Sequence, residues 1–213
     1  MDELSTIKNL LVELYGTEVG QDAFQRLTSL IDRYQPSSLP PTSRKRRIVS
    51  QADSILITYG DQVSQPGTPP LQSLADFCAQ HLNHVVSGIH ILPFYPFSSD
   101  DGFSVIDYKT VDPALGTWED IKSIGRSFRL MFDAVINHIS VRSPWFKAYL
   151  SGDPCYSQYF IEVNGNPDLS QVVRPRALPL LTRFDTPSGS KAIWTTFSTD
   201  QVDLNYHNPH VLL

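Results

Sequence analysis

Three short runs carry side chains equipped for chemistry. Tyr59-Gly60-Asp61 sets a phenol and a carboxylate around a turn-forming glycine. Pro93–Phe103 (PFYPFSSDDGF) offers two adjacent carboxylates, Asp100 and Asp101, among aromatic rings. Asn137-His138 adds an amide and an imidazole. Aromatic faces stack on C–H groups while carboxylates accept hydroxyl protons, and a sugar ring presents both kinds of surface. A strand-end histidine alone, or an Asp-Asp-Gly turn alone, is ordinarily structural, so the sugar reading requires the three runs to meet. His207 and His210 invite a metal, but they straddle what reads as a helix start and lack an obvious third ligand. No metal and no cofactor is expected: zinc-type cysteine pairs, glycine-rich phosphate loops and a nucleophile elbow are absent from the sequence.

The elements that must position these runs alternate between strand and helix. Ser54–Tyr59 (SILITY) is a β-branched run that ends in a turn, hence a strand. Leu71, Leu74, Ala75, Cys78 and Leu82 fall at helical spacing over 71–82. Val85–Leu92 is a second strand, stopped by Pro93, and Trp118–Phe128 a second helix with Thr117 as N-cap. Leu130–Ile136 (LMFDAVI) is a third strand, apolar enough to be covered on both faces. Such alternation implies an α/β fold with a parallel sheet and right-handed crossovers, whose functional groups gather at the carboxyl ends of strands. Each chemical run follows one of these strands, which puts Tyr59, the 93–103 loop and His138 on one rim. Asp133, early on the third strand, reads as structural.

Around this unit the pattern differs. Residues 4–34 read as two amphipathic helices broken at Gly16, and 35–43 (QPSSLPPTS) as a linker. Arg44–Arg47 (RKRR) reads as a solvated basic loop or helix start in preference to a polyanion site. Residues 139–207 are rich in Pro, Gly, Asn and aromatics and show no βα repeat, too long a stretch for a structureless loop, so they read as an inserted subdomain. Asn208 and Pro209 mark the start of one more helix. A net charge of −5 argues against a nucleic-acid footprint, so an anionic substrate needs a local cluster of Arg or Lys. The sequence offers no signal-peptide pattern and no apolar run long enough for a bilayer, which makes the cytoplasm the default and a membrane partner unexpected. Cys78 and Cys155, far apart, read as two buried thiols in a reduced compartment.

Longer runs carry a resemblance. FDAVINH at 132–138 is similar to the first signature region of the α-amylase superfamily, and HILPFYPFSSDDGFSVIDY at 90–108 to the corresponding loop of sucrose phosphorylases. VRPRALPLL at 173–181 and WTTFSTDQVDLNY at 194–206, with the helical N-terminal extension, resemble glucosylglycerate phosphorylases of the same subfamily. The resemblance implies the N-terminal part of a (β/α)8 TIM barrel: 1–50 a helical extension and linker, 51–138 the first three β/α units, 139–207 an inserted subdomain, and 208–213 the start of the next barrel helix. It implies an α-glucoside and phosphate as substrates. Asp100 would bind outer hydroxyls of a glucosyl ring and His138 would sit near its sixth carbon. Phe103 and Phe197 would line the glucosyl subsite, with Tyr59 on the same rim. Arg176 and Arg174 would approach phosphate or acceptor, and Gln201 the acceptor. Asn137 occupies a position that serves calcium in many α-amylases, but the phosphorylase branch implies none. The two carboxylates of retaining glucoside chemistry would follow the fourth and fifth barrel strands, beyond this chain, so the chain alone is expected to be inactive, marginal in stability and prone to aggregate.

Overall fold

The computed structural model describes residues 3–34, 50–173 and 177–213. The first of these segments forms two helices, α1 (Glu3–Tyr15) and α2 (Thr17–Tyr34), parted as expected at Gly16, whose φ of 81° suits glycine. They approach closely at Gly20, where a Cβ would stand 2.5 Å from the Leu11 carbonyl oxygen. Leu11 and Ala23 are the buried side chains of the pair.

The strand–helix alternation then appears in order: β1 (Ile55–Thr58), α3 (Pro70–His81), β2 (Gly88–Ile91), α4 (Trp118–Gly125) and β3 (Arg129–Phe132). The strands pair in the order β1-β2-β3, all parallel. Pro70 opens α3, where a missing N–H costs nothing, and Leu71, Leu74, Ala75 and Cys78 bury one face. At α4, Asp120 reaches back to accept both the N–H and the hydroxyl of Thr117, each at 2.8 Å. Both helices lie on one side of the sheet, around Ile89, Ile91, Phe94, Ile121 and Ile124. Each such fully buried side chain contributes roughly 1.5–3 kcal/mol.

Two expectations need correcting here. The third strand ends at Phe132, not Ile136, because its partner ends: the last pair is Ile91 with Phe132, and Pro93 has no N–H to extend the ladder. Nor is it covered on both faces, since Met131 is 46% exposed and Phe132 40%. The helices shield the face that carries Leu56, Ile89, Ile91 and Leu130; in the opposite row Ile57 and Met131 are exposed, while His90 between them is mostly buried against Asp133.

Residues 138–204 form antiparallel structure. β4 (His138–Ser140) leads to α5 (Pro144–Ser151), capped by the Ser143 hydroxyl and ended at Gly152 in the left-handed region. β5 (Glu162–Val163), β6 (Leu181–Thr186) and β7 (Gly189–Trp194) make a three-stranded sheet around the hairpin β6–β7. β8 (Gln201–Asp203) returns to pair with β4, His138 opposite Asp203. Phe146, Tyr149, Phe160 and Phe184 pack as an aromatic cluster beneath the hairpin. Cys155 is exposed, against the expectation of a second buried thiol, because it lies in a short 3₁₀ turn after α5; Cys78 is buried. The last helix, α6 (Pro209–Leu212), begins as read, with Asn208 accepting from the His210 N–H. Residues 205–213 form one compact unit with α1 and α2, and residues 50–204 form another. No helix among the described residues is long and apolar enough to cross a membrane. The RKRR run lies outside the described residues.

Candidate active-site cleft

The loop after β2 is folded by an unusual backbone. Asp100, Asp101 and Gly102 all have positive φ, at 57°, 50° and 101°. For the two aspartates this region is sterically costly, though Asp tolerates it better than most residues. Gly102 is required on a second ground: a Cβ would meet the Pro93 carbonyl oxygen at 2.8 Å. The neck of the loop is closed by backbone bonds, Ser98 N–H to Ser104 O at 3.0 Å and Phe103 N–H to Asp100 O at 2.9 Å. The tight turn lifts the Asp100 carboxylate off the loop and aims it at β8.

Gln201 receives it there. The Gln201 amide nitrogen donates to Asp100 Oδ2 at 3.0 Å and lies 3.1 Å from His138 Nε2, while its oxygen accepts from the Ser198 hydroxyl. His138 Nε2 is also 3.0 Å from the Phe103 carbonyl, so one tautomer accepts from Gln201 and the other donates to Phe103. The ring packs against Phe197 with centroids 4.9 Å apart. Expected at the tip of the third strand, His138 instead opens β4, six residues after Phe132. The intervening segment is tied down by the Tyr108 hydroxyl, 2.8 Å from Val135 O and 2.9 Å from His138 O. Asp133, just past the end of β3, bonds His90 of β2 at 2.8 Å.

These residues line one cavity. Tyr59, Asp100, Phe103, Asp133, His138 and Phe197 border a cleft of about 550 Å³, within the range of small-molecule sites. Tyr59, immediately after β1, also borders a neighbouring hollow with Asp61, Phe97 and Asp101. The three chemical runs therefore meet. Gln201 is not on the wall but fully buried behind it. Arg174 and Arg176 lie outside the described residues. Two contributors escaped the sequence reading. Tyr108 lay inside a run already singled out, but its role depends on carbonyls about thirty residues away. Asp203, buried opposite His138, holds Thr196 through its N–H and hydroxyl, and burial pushes its carboxyl above the usual range. Among the described residues no cluster of His, Cys, Asp and Glu has the makings of a metal site.

With that geometry in hand, comparison with known proteins gives the family. The sequence pattern of the α-amylase catalytic domain matches residues 80–212. The chain belongs to the α-amylase family. Its three parallel strands are accordingly part of a (β/α)8 barrel, with β4 and the strands after it interrupting the βα alternation. It is 59% identical over 173 residues to a glucosylglycerate phosphorylase of Allomeiothermus silvanus, a match spanning 81% of this chain and 31% of that protein. To the glucosylglycerate phosphorylase of Spirochaeta thermophila it is 47% identical along its whole length, 37% of the relative. The solved sucrose 6F-phosphate phosphorylase of Thermoanaerobacter thermosaccharolyticum superimposes with a TM-score of 0.69 at 30% identity, covering 78% of this chain and 36% of that structure. The chain thus spans about a third of the length of the curated relatives it matches.

Proposed function

We propose that this chain is the glucosyl-binding segment of a retaining α-glucoside phosphorylase acting on glucosylglycerate. The observation that carries the proposal is the convergence of Tyr59, Asp100, Phe103, His138 and Phe197 on one cleft. Asp100 accepts hydroxyls of the glucosyl ring and His138 contacts the region of its sixth carbon. Phe103 and Phe197 supply the apolar walls, and Tyr59 completes the rim. Gln201 serves from behind, holding Asp100 and His138 in register. Arg174 and Arg176 approach phosphate or the acceptor. The 59% and 47% identities to glucosylglycerate phosphorylases, against 34% to a sucrose phosphorylase, support glucosylglycerate as the donor. Residues 139–207 form the inserted subdomain, the protein works in the cytoplasm, and neither nucleic acid nor membrane takes part.

In the reaction a carboxylate nucleophile attacks the anomeric carbon and expels glycerate, which takes a proton from the acid/base. Phosphate oxygen then displaces the carboxylate, giving α-glucose 1-phosphate. Both carboxylates lie outside these 213 residues, so the chain alone gives no turnover. The test is release of α-glucose 1-phosphate from glucosylglycerate and phosphate by the full-length protein. Its absence there, or clear turnover by the 213-residue chain, defeats the proposal. Arg176→Ala separates phosphorolysis from hydrolysis: the first falls more than the second, and equal loss removes the phosphate role.

A further inference from the structure

The Asp200 carboxylate does not line the cleft described above, yet a cluster of hydroxyls converges on it. Its Oδ2 accepts from Ser98 and Ser99 at 2.5 Å each and from Ser104 at 3.0 Å. Ser140 lies 2.6 Å from Ser98 Oγ, which has given its one proton to Asp200 and so accepts from Ser140. Ser104 and Ser140 are fully buried and Ser98, Ser99 and Asp200 half-buried, so the cluster is shielded from water on its inner side. Ser98 and Ser99 enter the left-handed run Asp100-Asp101-Gly102 and Ser104 leaves it. One carboxylate oxygen therefore grips both feet of the most strained loop in the cleft. Asp200 also immediately precedes Gln201, which holds the Asp100 carboxylate at the loop's tip.

We infer that Asp200 is a positioning residue for the glucosyl site: by clamping Ser98, Ser99 and Ser104 it fixes the 98–104 loop and so the placement of Asp100. The inference rests on the reading of Asp100 as a sugar contact. Loop backbone and loop carboxylate are indexed by two consecutive residues at the start of β8, so a shift of that strand end moves both together. Charged hydrogen bonds are the stronger class, and three of them meet the cost of a left-handed run.

The test uses Asp200→Ala and Asp200→Asn in the full-length protein, with two readouts. Hydrogen exchange at the Phe103 and Ser104 amides, bonded across the loop to Asp100 and Ser99, accelerates about tenfold or more in Asp200→Ala while Ala192 and Ile193 in β7 hold. KM for glucosylglycerate rises about tenfold with kcat changed much less, because Asp100 grips hydroxyls remote from the reacting carbon. Asp200→Asn, which keeps an acceptor oxygen, recovers a large part of both effects. Ser98→Ala adds little on top of Asp200→Ala, since both break the same clamp. Unchanged exchange in the loop overturns the inference, as does acceleration spread evenly into β7 or an unchanged KM beside a loosened loop. If the wild-type protein turns over no glucoside, the sugar reading has failed, and the exchange data alone decide whether Asp200 holds the loop.

Discussion

At the scale of single residues, three carboxylates border the cleft, Asp100, Asp101 and Asp133, and the proposed sugar contact makes Asp100 the one whose charge a glucoside should feel. Asp100→Asn keeps the shape and one acceptor but gives up the charge. Glucoside affinity measured by calorimetry on the full-length protein should fall on the order of tenfold to a hundredfold, the worth of a charged over a neutral hydrogen bond. Unaltered affinity would remove Asp100 from the sugar contacts. Asp203, behind His138, makes a prediction about pH. Burial raises its carboxyl in the folded state, so the folded protein holds that proton more tightly than the unfolded chain. From the ordinary carboxylate value of about 3.9 up to the raised folded value, the folded state binds more protons and stability declines with rising pH. Below that window the contribution is fully present. Asp203→Asn preserves an acceptor for Thr196 and cannot ionise, so its melting temperature should gain on the wild type as pH climbs from 4 to 7. A constant difference between the two melting curves across that range would contradict a raised Asp203.

At the scale of elements, local chemistry was legible and distant pairing was not. The apolar spacing of α3, Thr117 as the cap of α4, Gly16 between the first two helices and Asn208 before α6 all follow from neighbours within four residues, and the structure has each of them. The limit of β3 was misread because it depends on where β2 ends, and Pro93 lies about forty residues from Phe132. The β6–β7 hairpin went unread because Leu181–Trp194 mixes charged and apolar residues without clean alternation and its inner face is set by Phe146 and Phe160 of other elements. The cleft was legible at Tyr59 and Asp100, while the buried roles of Gln201 and Asp200 needed coordinates. Gly20 shows how tertiary approach overrides local preference. In an isolated helix, alanine stabilises over glycine by about 1 kcal/mol. Here the added Cβ would sit 2.5 Å from Leu11 O, so Gly20→Ala should pry α1 from α2 and lower the melting temperature. A stabilised variant would mean the helices separate at little cost.

At the scale of the whole molecule, the sheet is finished on one face only. α3 and α4 cover Leu56, Ile89 and Leu130, while the opposite face presents Ile57 at 62% exposure and Met131 at 46% on either side of His90, with Ile136 at 62% past the end of β3. In a complete (β/α)8 barrel that face is the interior, filled by side chains from the remaining strands. β1 and β3 also have no strand partner on their outer sides among the described residues, and unpaired edges template further pairing. Apolar surface beside open edges is the combination that drives self-association. The 213-residue chain should therefore elute from size exclusion as concentration-dependent oligomers. Ile57→Lys together with Met131→Lys should shift it toward monomer without loss of helical circular dichroism, because neither side chain belongs to the buried core. The same pair of lysines in a chain with all eight barrel strands should do the reverse and abolish folding, since there the row faces inward and each unpaired charge would be buried. A wild-type chain that remains monomeric, with β1 and β3 amides protected from exchange, would show that the bare face and edges are tolerated; an eight-stranded chain that accepts both lysines would show that the row never turns inward.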